Sequence, residues 1–269
     1  MEKVSFLGPK GTFSHEAASK VSDNLIDYCS IQSVMESVIN GDCSKCIVPI
    51  ENSIEGSVTE TLDLLVHKFN LKIENEVIIP INHNLLAKPG TKIENITDVY
   101  SHSQSLSQCQ PFLEEMNVTK HFTLSTAAAA KQVLNLENAA AISSLKAAEL
   151  YNLEVLARNI QNNDTNQTRF VVLSDNIHKP TGNDKTSIAF NLFDDSKSGA
   201  LYEVLSIFAN QNINLTKIES RPSKDGLGTY IFFIDLEGHI SSNKINSILE
   251  EVKNGTSFFK LLGSYPRYL

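Results

Sequence analysis

Four short segments hold most of the groups in this chain that could do chemistry. The first is Gly8-Pro9-Lys10-Gly11-Thr12-Phe13-Ser14-His15-Glu16, between an apolar run at 4–7 and a helical pattern. Its glycines permit a tight turn, and exposed amides at a helix start attract anions. No Gly-Lys-Ser/Thr ends it, so it is not a nucleotide P-loop. The second is Pro49-Ile50-Glu51-Asn52-Ser53-Ile54-Glu55-Gly56-Ser57. Glu51 and Asn52 leave a strand-like run together, which suits orienting a ligand, although an asparagine there also serves to hold a turn. The third is Tyr100-Ser101-His102-Ser103-Gln104-Ser105-Leu106-Ser107-Gln108-Cys109, dense in neutral hydrogen-bonding groups. It lacks the Gly-x-Ser-x-Gly elbow of a serine hydrolase. The fourth, Asn166-Gln167-Thr168-Arg169-Phe170, leads into an apolar run at 170–173. The arginines are Arg158, Arg169, Arg221 and Arg267, and only the first two precede residue 176. An acidic chain must bind an anion with local cations. Arg169 beside the Thr168 hydroxyl is the best such group, because a guanidinium pairs a carboxylate in bidentate fashion.

These segments need a frame that brings strand ends and helix starts together, and the chain up to residue 175 has that rhythm. Strand-like runs at 4–7, 46–50, 73–81, 139–142 and 170–173 alternate with helical patterns, as in α/β folds whose sites form where strands give way to helices. Ser57-Val58-Thr59-Glu60 reads as a capping box opening a helix with Leu62, Leu65 and Val66 on one face. Ser125-Thr126 supplies hydroxyl caps before Ala127-Ala128-Ala129-Ala130. Residues 104–116 read as helix, kinked or restarted at Pro111. A polar stretch with Pro and Gly gives a linker at 176–185, between a domain at 1–175 and one at 186–269. The second domain reads strand 186–193, helix 199–211, strands 213–220 and 228–236, helix 241–253 and strand 258–262. That order, βαββαβ, is ferredoxin-like and by itself names no function.

Composition narrows the class. The 269 residues are 41% hydrophobic and 20% charged, an ordinary globular balance. A net charge of −8 argues against binding nucleic acid or an anionic membrane surface. No apolar run nears the ~18 residues of a membrane span. The N-terminus reads as a strand rather than a signal peptide, so a cytoplasmic location is expected. Cys43-Ser44-Lys45-Cys46 has no second ligand pair, which favours free thiols over a metal site.

Taken together, the chain resembles the prephenate dehydratase family over nearly its whole length. The carriers are Gly8-Pro9-Lys10-Gly11-Thr12-Phe13-Ser14, Pro49-Ile50-Glu51-Asn52-Ser53, Ser101-His102-x-Gln104, Ser125-Thr126-Ala127-Ala128-Ala129 and Thr168-Arg169-Phe170, in the family's order and approximate spacing. The C-terminal part resembles an ACT domain through Gly199-Ala200-Leu201 and Glu219-Ser220-Arg221-Pro222. Ser103 and Ser198 stand where the family usually has proline, which bears on loop rigidity. The resemblance implies an α/β fold: a two-lobed, periplasmic-binding-protein-like catalytic domain with a cleft, then a ferredoxin-like ACT domain. It implies conversion of prephenate to phenylpyruvate, water and carbon dioxide without a cofactor or metal. By the same analogy Thr168 assists the departing hydroxyl. Arg169 and the helix-start amides near Thr12 and Thr126 meet carboxylate, while Glu51 and Asn52 complete the catalytic set. Ser101, Gln108, Ser125 and Phe170 contribute to substrate binding. L-Phenylalanine acts as inhibitor at Gly199, Ala200, Leu201, Asn214, Leu215, Glu219, Ser220, Arg221 and Pro222, in a homodimer or homotetramer. No chorismate mutase segment precedes Met1, so a monofunctional enzyme is expected. Three other readings are weighed: an arogenate dehydratase, a non-catalytic ligand sensor, and a zinc protein through Cys43 and Cys46.

Overall fold

The computed structural model describes residues 2–224, 226 and 228–268. Its strands and helices in chain order are β1 (Val4–Leu7), α1 (Phe13–Ser19), β2 (Leu25–Tyr28), α2 (Ile31–Ile39), β3 (Lys45–Asn52), β4 (Gly56–Ser57), α3 (Thr59–His67), β5 (Lys72–Pro80), β6 (Asn84–Ala87), β7 (Asp98–Ser101), α4 (Ser103–Gln108), α5 (Gln110–Met116), β8 (Thr119–Phe122), α6 (Thr126–Val133), β9 (Ala139–Ser143), α7 (Leu145–Tyr151), β10 (Glu154–Ala157) and β11 (Gln167–Ser174). They are followed by β12 (Asp184–Asn191), α8 (Ala200–Asn210), β13 (Leu215–Pro222), β14 (Tyr230–Glu237), α9 (Asn243–Asn254) and β15 (Phe258–Pro266). Two compact units result. One comprises Met1–Thr61 with Val77–Phe170, the other Leu62–Glu76 with Val171–Leu269.

The first unit holds two sheets. In one, the order β11-β3-β1-β2 sets β1 parallel to both its neighbours, and β4 flanks β3. The other runs β10-β6-β9-β7-β8, with β7 parallel to β8 and β9. The alanines anticipated as a helix start pack α6 closely on β9: Ala129, Ala130, Ala139 and Ala141 are all buried in one apolar cluster. Leu85, Val99, Leu106, Leu113 and Ile142 make a second cluster in the same unit. The helix expected at 104–116 is two helices. Pro111 has no N–H to continue the ladder, and Cys109 leaves helical geometry (φ −112°, ψ 16°). Gln108 therefore ends α4.

Two boundaries matter for function. β11 begins at Gln167, so Thr168 and Arg169 lie inside a strand rather than at its approach. The pleat then directs them to opposite faces. Ser57 belongs to β4, paired with Glu51, and α3 starts at Thr59 rather than on a Ser57 cap.

In the second unit the strand order β13-β14-β12-β15 with α8 and α9 gives the expected βαββαβ arrangement. Ile188, Phe190, Val204, Phe208, Ile234 and Leu249 form its core. Most strand ends lie about two residues from expectation, because element termini fray. β15 is longer, reaching Pro266. Gly263 explains how: it pairs with Ile73 of β5, and a Cβ there would stand 2.2 Å from the Ile73 carbonyl oxygen. Beside this contact lies a buried ion pair, with Lys185 Nζ 3.0 Å from both carboxylate oxygens of Glu76. The backbone N–H of Tyr268 also donates to Glu76.

Candidate active site

A cleft of about 380 Å³ lies within the first unit. Asn52, Ser57, Asn166 and Thr168 reach it from the first sheet and its margins. His83, His102, Gln104, Gln108, Ser125 and Thr126 reach it from the second. Phe13, Val58, Ile81 and Leu124 supply apolar wall. Among the described lining residues there is no Lys or Arg.

Asn52 organises the polar wall. Its Oδ1 accepts the backbone N–H groups of Ile54 (3.0 Å) and Glu55 (2.9 Å). Its Nδ2 shares two hydrogens among Asn166 Oδ1 (2.8 Å), the Thr168 hydroxyl (2.9 Å) and the Gln167 carbonyl (3.1 Å). Thr168 thus accepts from Asn52 and keeps its own O–H to give. Asn166 Nδ2 donates to Gln108 Oε1 at 2.9 Å, and His83 Nε2 lies 3.0 Å from the same oxygen. Burial pushes the His83 pKa down, more than the hydrogen bond to Gln108 raises it, so the ring is neutral at physiological pH.

On the opposite wall Ser125 caps α6, its hydroxyl accepting the Ala128 N–H at 3.0 Å. The helix start and Thr126 thereby face the cleft with amide dipoles oriented for an anion.

The structure gathers Asn52, Gln108, Ser125, Thr126 and Thr168 around one cleft, and sets other anticipated residues apart from its lining. Arg169 is buried, with its guanidinium 3.5 Å from Glu51. Strand alternation is the reason, since it sends Arg169 to the other face from Thr168. Thr12 caps α1, accepting from His15 N and donating to the Pro9 carbonyl. The Ser101 hydroxyl is fully buried and donates to the Ile142 carbonyl. Phe170 is core, 2% exposed. Sequence reasoning missed His83 and gave Asn166 no role. Asn82-His83-Asn84 directly after an apolar run was the available signal, since a neutral buried group needs polar partners.

The anticipated effector residues all lie in the second unit. Gly199 caps α8 in the left-handed region (φ +84°), where a side chain would be strained. Ala200 and Leu201 open that helix, and Asn214 precedes β13. Leu215, Glu219, Ser220, Arg221 and Pro222 are on β13, the end strand of its sheet order. Glu219 pairs with Lys217 at 3.2 Å. Arg221 makes a fork with Asp63, Nε to Oδ1 at 3.1 Å and Nη2 to Oδ2 at 3.2 Å, and Lys224 adds a contact at 2.8 Å. Burial would raise the Asp63 pKa. The hydrogen bonds and charges of Arg221 and Lys224 outweigh it and hold the carboxyl below its ordinary value. A depressed carboxylate pKa gives stability that is present above the unfolded pKa and lost as pH falls through the folded one. The wild-type chain should therefore be more stable than Asp63→Asn near neutral pH, with the gap closing below about pH 4. Denaturant titrations of both proteins at about pH 7 and about pH 3 check this.

Cys43 and Cys46 are both buried, and among the described residues no three His, Cys, Asp or Glu side chains converge as a metal site. No described helix is long and apolar enough to cross a membrane.

Residues 4–178 match the family described as prephenate dehydratase, and residues 195–254 match the ACT domain. The prephenate dehydratase of Methanocaldococcus jannaschii is 44% identical over 98% of this chain and 97% of its own. The crystal structure of Arthrobacter aurescens prephenate dehydratase in complex with L-Phe has a TM-score of 0.89 at 35% identity, covering 98% of this chain and 90% of that one. A structure described as GqqA, a novel type of quorum quenching acylase, also has a TM-score of 0.89, at 26% identity over 98% of both chains. A shared fold therefore does not by itself assign the reaction.

Proposed function

The chain belongs to the prephenate dehydratase family, and from that premise we propose how its cleft removes carbon dioxide and water from prephenate to leave phenylpyruvate. The ring carboxylate departs as carbon dioxide. Its bonding electrons pass through the ring diene and expel the hydroxyl from the opposite carbon. The substrate dianion takes up one proton, so the products are phenylpyruvate anion, carbon dioxide and water. Aromatisation supplies the driving force, and the protein must hold two carboxylates and ease the departure of one oxygen.

The observation that carries this reading is the Thr168 hydroxyl. Asn52 donates to it, so its O–H is left to donate at the cleft. A threonine is a poor acid, and its contribution is a directed hydrogen bond to the leaving oxygen rather than full proton transfer. Neutral donors hold the carboxylates: the α6 start at Ser125 and Thr126, and the amide of Gln108. Arg169 serves through Glu51, fixing the strand end that carries Asn52. Thr12, Ser101 and Phe170 shape the site from behind its lining.

Residues 1–175 form the catalytic part, 176–185 the linker and 186–269 the ACT part. The ACT part binds L-phenylalanine at the Gly199–Leu201 helix start and the β13 residues, and so feeds the end product back on the reaction. The protein acts in the cytoplasm as a homodimer or homotetramer. Incubation with prephenate and with arogenate, following phenylpyruvate and phenylalanine with and without added L-phenylalanine, tests the proposal. Phenylpyruvate formed from prephenate and suppressed by L-phenylalanine supports it. Arogenate consumed in preference would shift the substrate, and neither consumed would overturn the reading.

A further inference from the structure

We infer that His83 is a positioning residue: its Nε2–H holds the Gln108 amide, through it Asn166 and Asn52, in the one arrangement that leaves the Thr168 O–H for the substrate. The inference rests on the dehydratase reading for its kinetic consequences, and on hydrogen-bond logic for its geometry.

That logic starts from two backbone groups whose polarity cannot change. The N–H groups of Ile54 and Glu55 both point at one end of the Asn52 amide, so that end is oxygen. The other end is then nitrogen, and the Asn166 atom 2.8 Å from it must be oxygen. Asn166 therefore turns its nitrogen to Gln108, and the Gln108 atom it meets at 2.9 Å must also be oxygen. His83 Nε2, 3.0 Å from that same oxygen, has to carry a proton. The ring is neutral, so Nδ1 carries none. Three amide orientations and one tautomer follow in sequence from two peptide groups. Any single flip would set like poles together in a buried network, where an unmade bond costs most.

The far ends of the relay show what this order secures. Gln108 Nε2 and His83 Nδ1 are buried and have no partner among the described residues. The Thr168 hydroxyl accepts from Asn52. Gln108 and Thr168 both line the cleft, and each is left with hydrogens to give. His83 itself is held rigidly. Its backbone N–H donates to Gln161 Oε1 at 2.9 Å, its backbone carbonyl accepts the Ile160 N–H at 2.9 Å, and the Phe13 ring packs edge-on at 5.6 Å.

Two measurements decide the matter. In protein labelled with 15N at histidine, the ring resonances of His83 should show a protonated Nε2 and a bare Nδ1. The opposite tautomer overturns the relay whatever the protein's activity. Kinetically, His83→Phe keeps a ring of similar size but removes the donor, and kcat/KM for prephenate should fall between about 10- and 100-fold. His83→Gln restores a side-chain N–H and should recover part of that loss. In a Gln108→Ala background, His83→Phe should change kcat/KM by less than about twofold, because the effect passes through Gln108. A His83→Phe enzyme at the wild-type rate, or fully additive losses in the two-residue cycle, would refute the inference. Wild-type protein inert towards prephenate would instead refute the dehydratase reading, while the tautomer measurement still decides the relay.

Discussion

Thr168→Val lowers kcat for prephenate by about 10²- to 10³-fold and leaves the fold intact, by the measure of losing one donor aimed at developing negative charge. Valine matches threonine in shape and is as compatible with a strand. Asn52 Nδ2 keeps two of its three acceptors, Asn166 Oδ1 and the Gln167 carbonyl, so the rest of the wall stays in place. What disappears is the O–H that the leaving oxygen needs only as the C–O bond stretches. An interaction made chiefly in the transition state changes kcat far more than KM. Thr168→Ser retains the hydroxyl but loses the methyl group that restricts its rotamer, and should fall between the two. Steady-state kinetics of the three proteins, with thermal melts alongside, makes the comparison. A stably folded Thr168→Val with wild-type kcat would remove Thr168 from the chemistry.

Lys185→Met destabilises the protein by about 3–5 kcal/mol, the typical result of leaving one member of a buried ion pair behind. Lys185 and Glu76 are 7% and 3% exposed, and the ammonium meets both carboxylate oxygens. Methionine fills much of the lysine stem's volume, so the loss reports the abandoned charge more than a void. The Tyr268 N–H still donates to Glu76, but a neutral donor offsets a buried carboxylate less than an ammonium does. Lys185→Met combined with Glu76→Leu should recover most of the loss, since no buried carboxylate then remains without its ammonium. Urea unfolding of the single and double variants measures both steps. A single variant as stable as wild type would show that the ammonium is not what holds Glu76 in the folded protein.

The βαββαβ half was legible because strands and helices there alternate with strong periodicity and are bounded by Gly, Asn and Ser. The Pro111 break was legible for a covalent reason. The site was harder. Thr168 and Arg169 are adjacent in sequence, which suggests two roles in one site, yet inside a strand adjacent residues part company. Only knowledge that β11 starts at Gln167 separates them. Ser101 and Phe170 illustrate the same point: their types suit a ligand, and their burial gives them to the Ile142 carbonyl and the core. His83 escaped notice because a lone histidine has no spacing rule, and its importance comes from Gln108 and Asn166, residues 25 and 83 positions away in the chain. Long-range partnership of that kind is set by tertiary packing.

The neutral wall of the cleft has a kinetic side. A substrate with two negative charges approaches a chain of net charge −8 whose described cleft lining offers Glu55 but no lysine or arginine. The long-range field gives the encounter no help and opposes it weakly. Added electrolyte screens that opposition over a Debye length of about 8 Å near physiological ionic strength. Capture of substrate should thus quicken with salt rather than slow, the reverse of a site that draws anions through a basic funnel. Selectivity then falls to the short-range geometry of hydroxyls and amides, which dissolved ions scarcely touch.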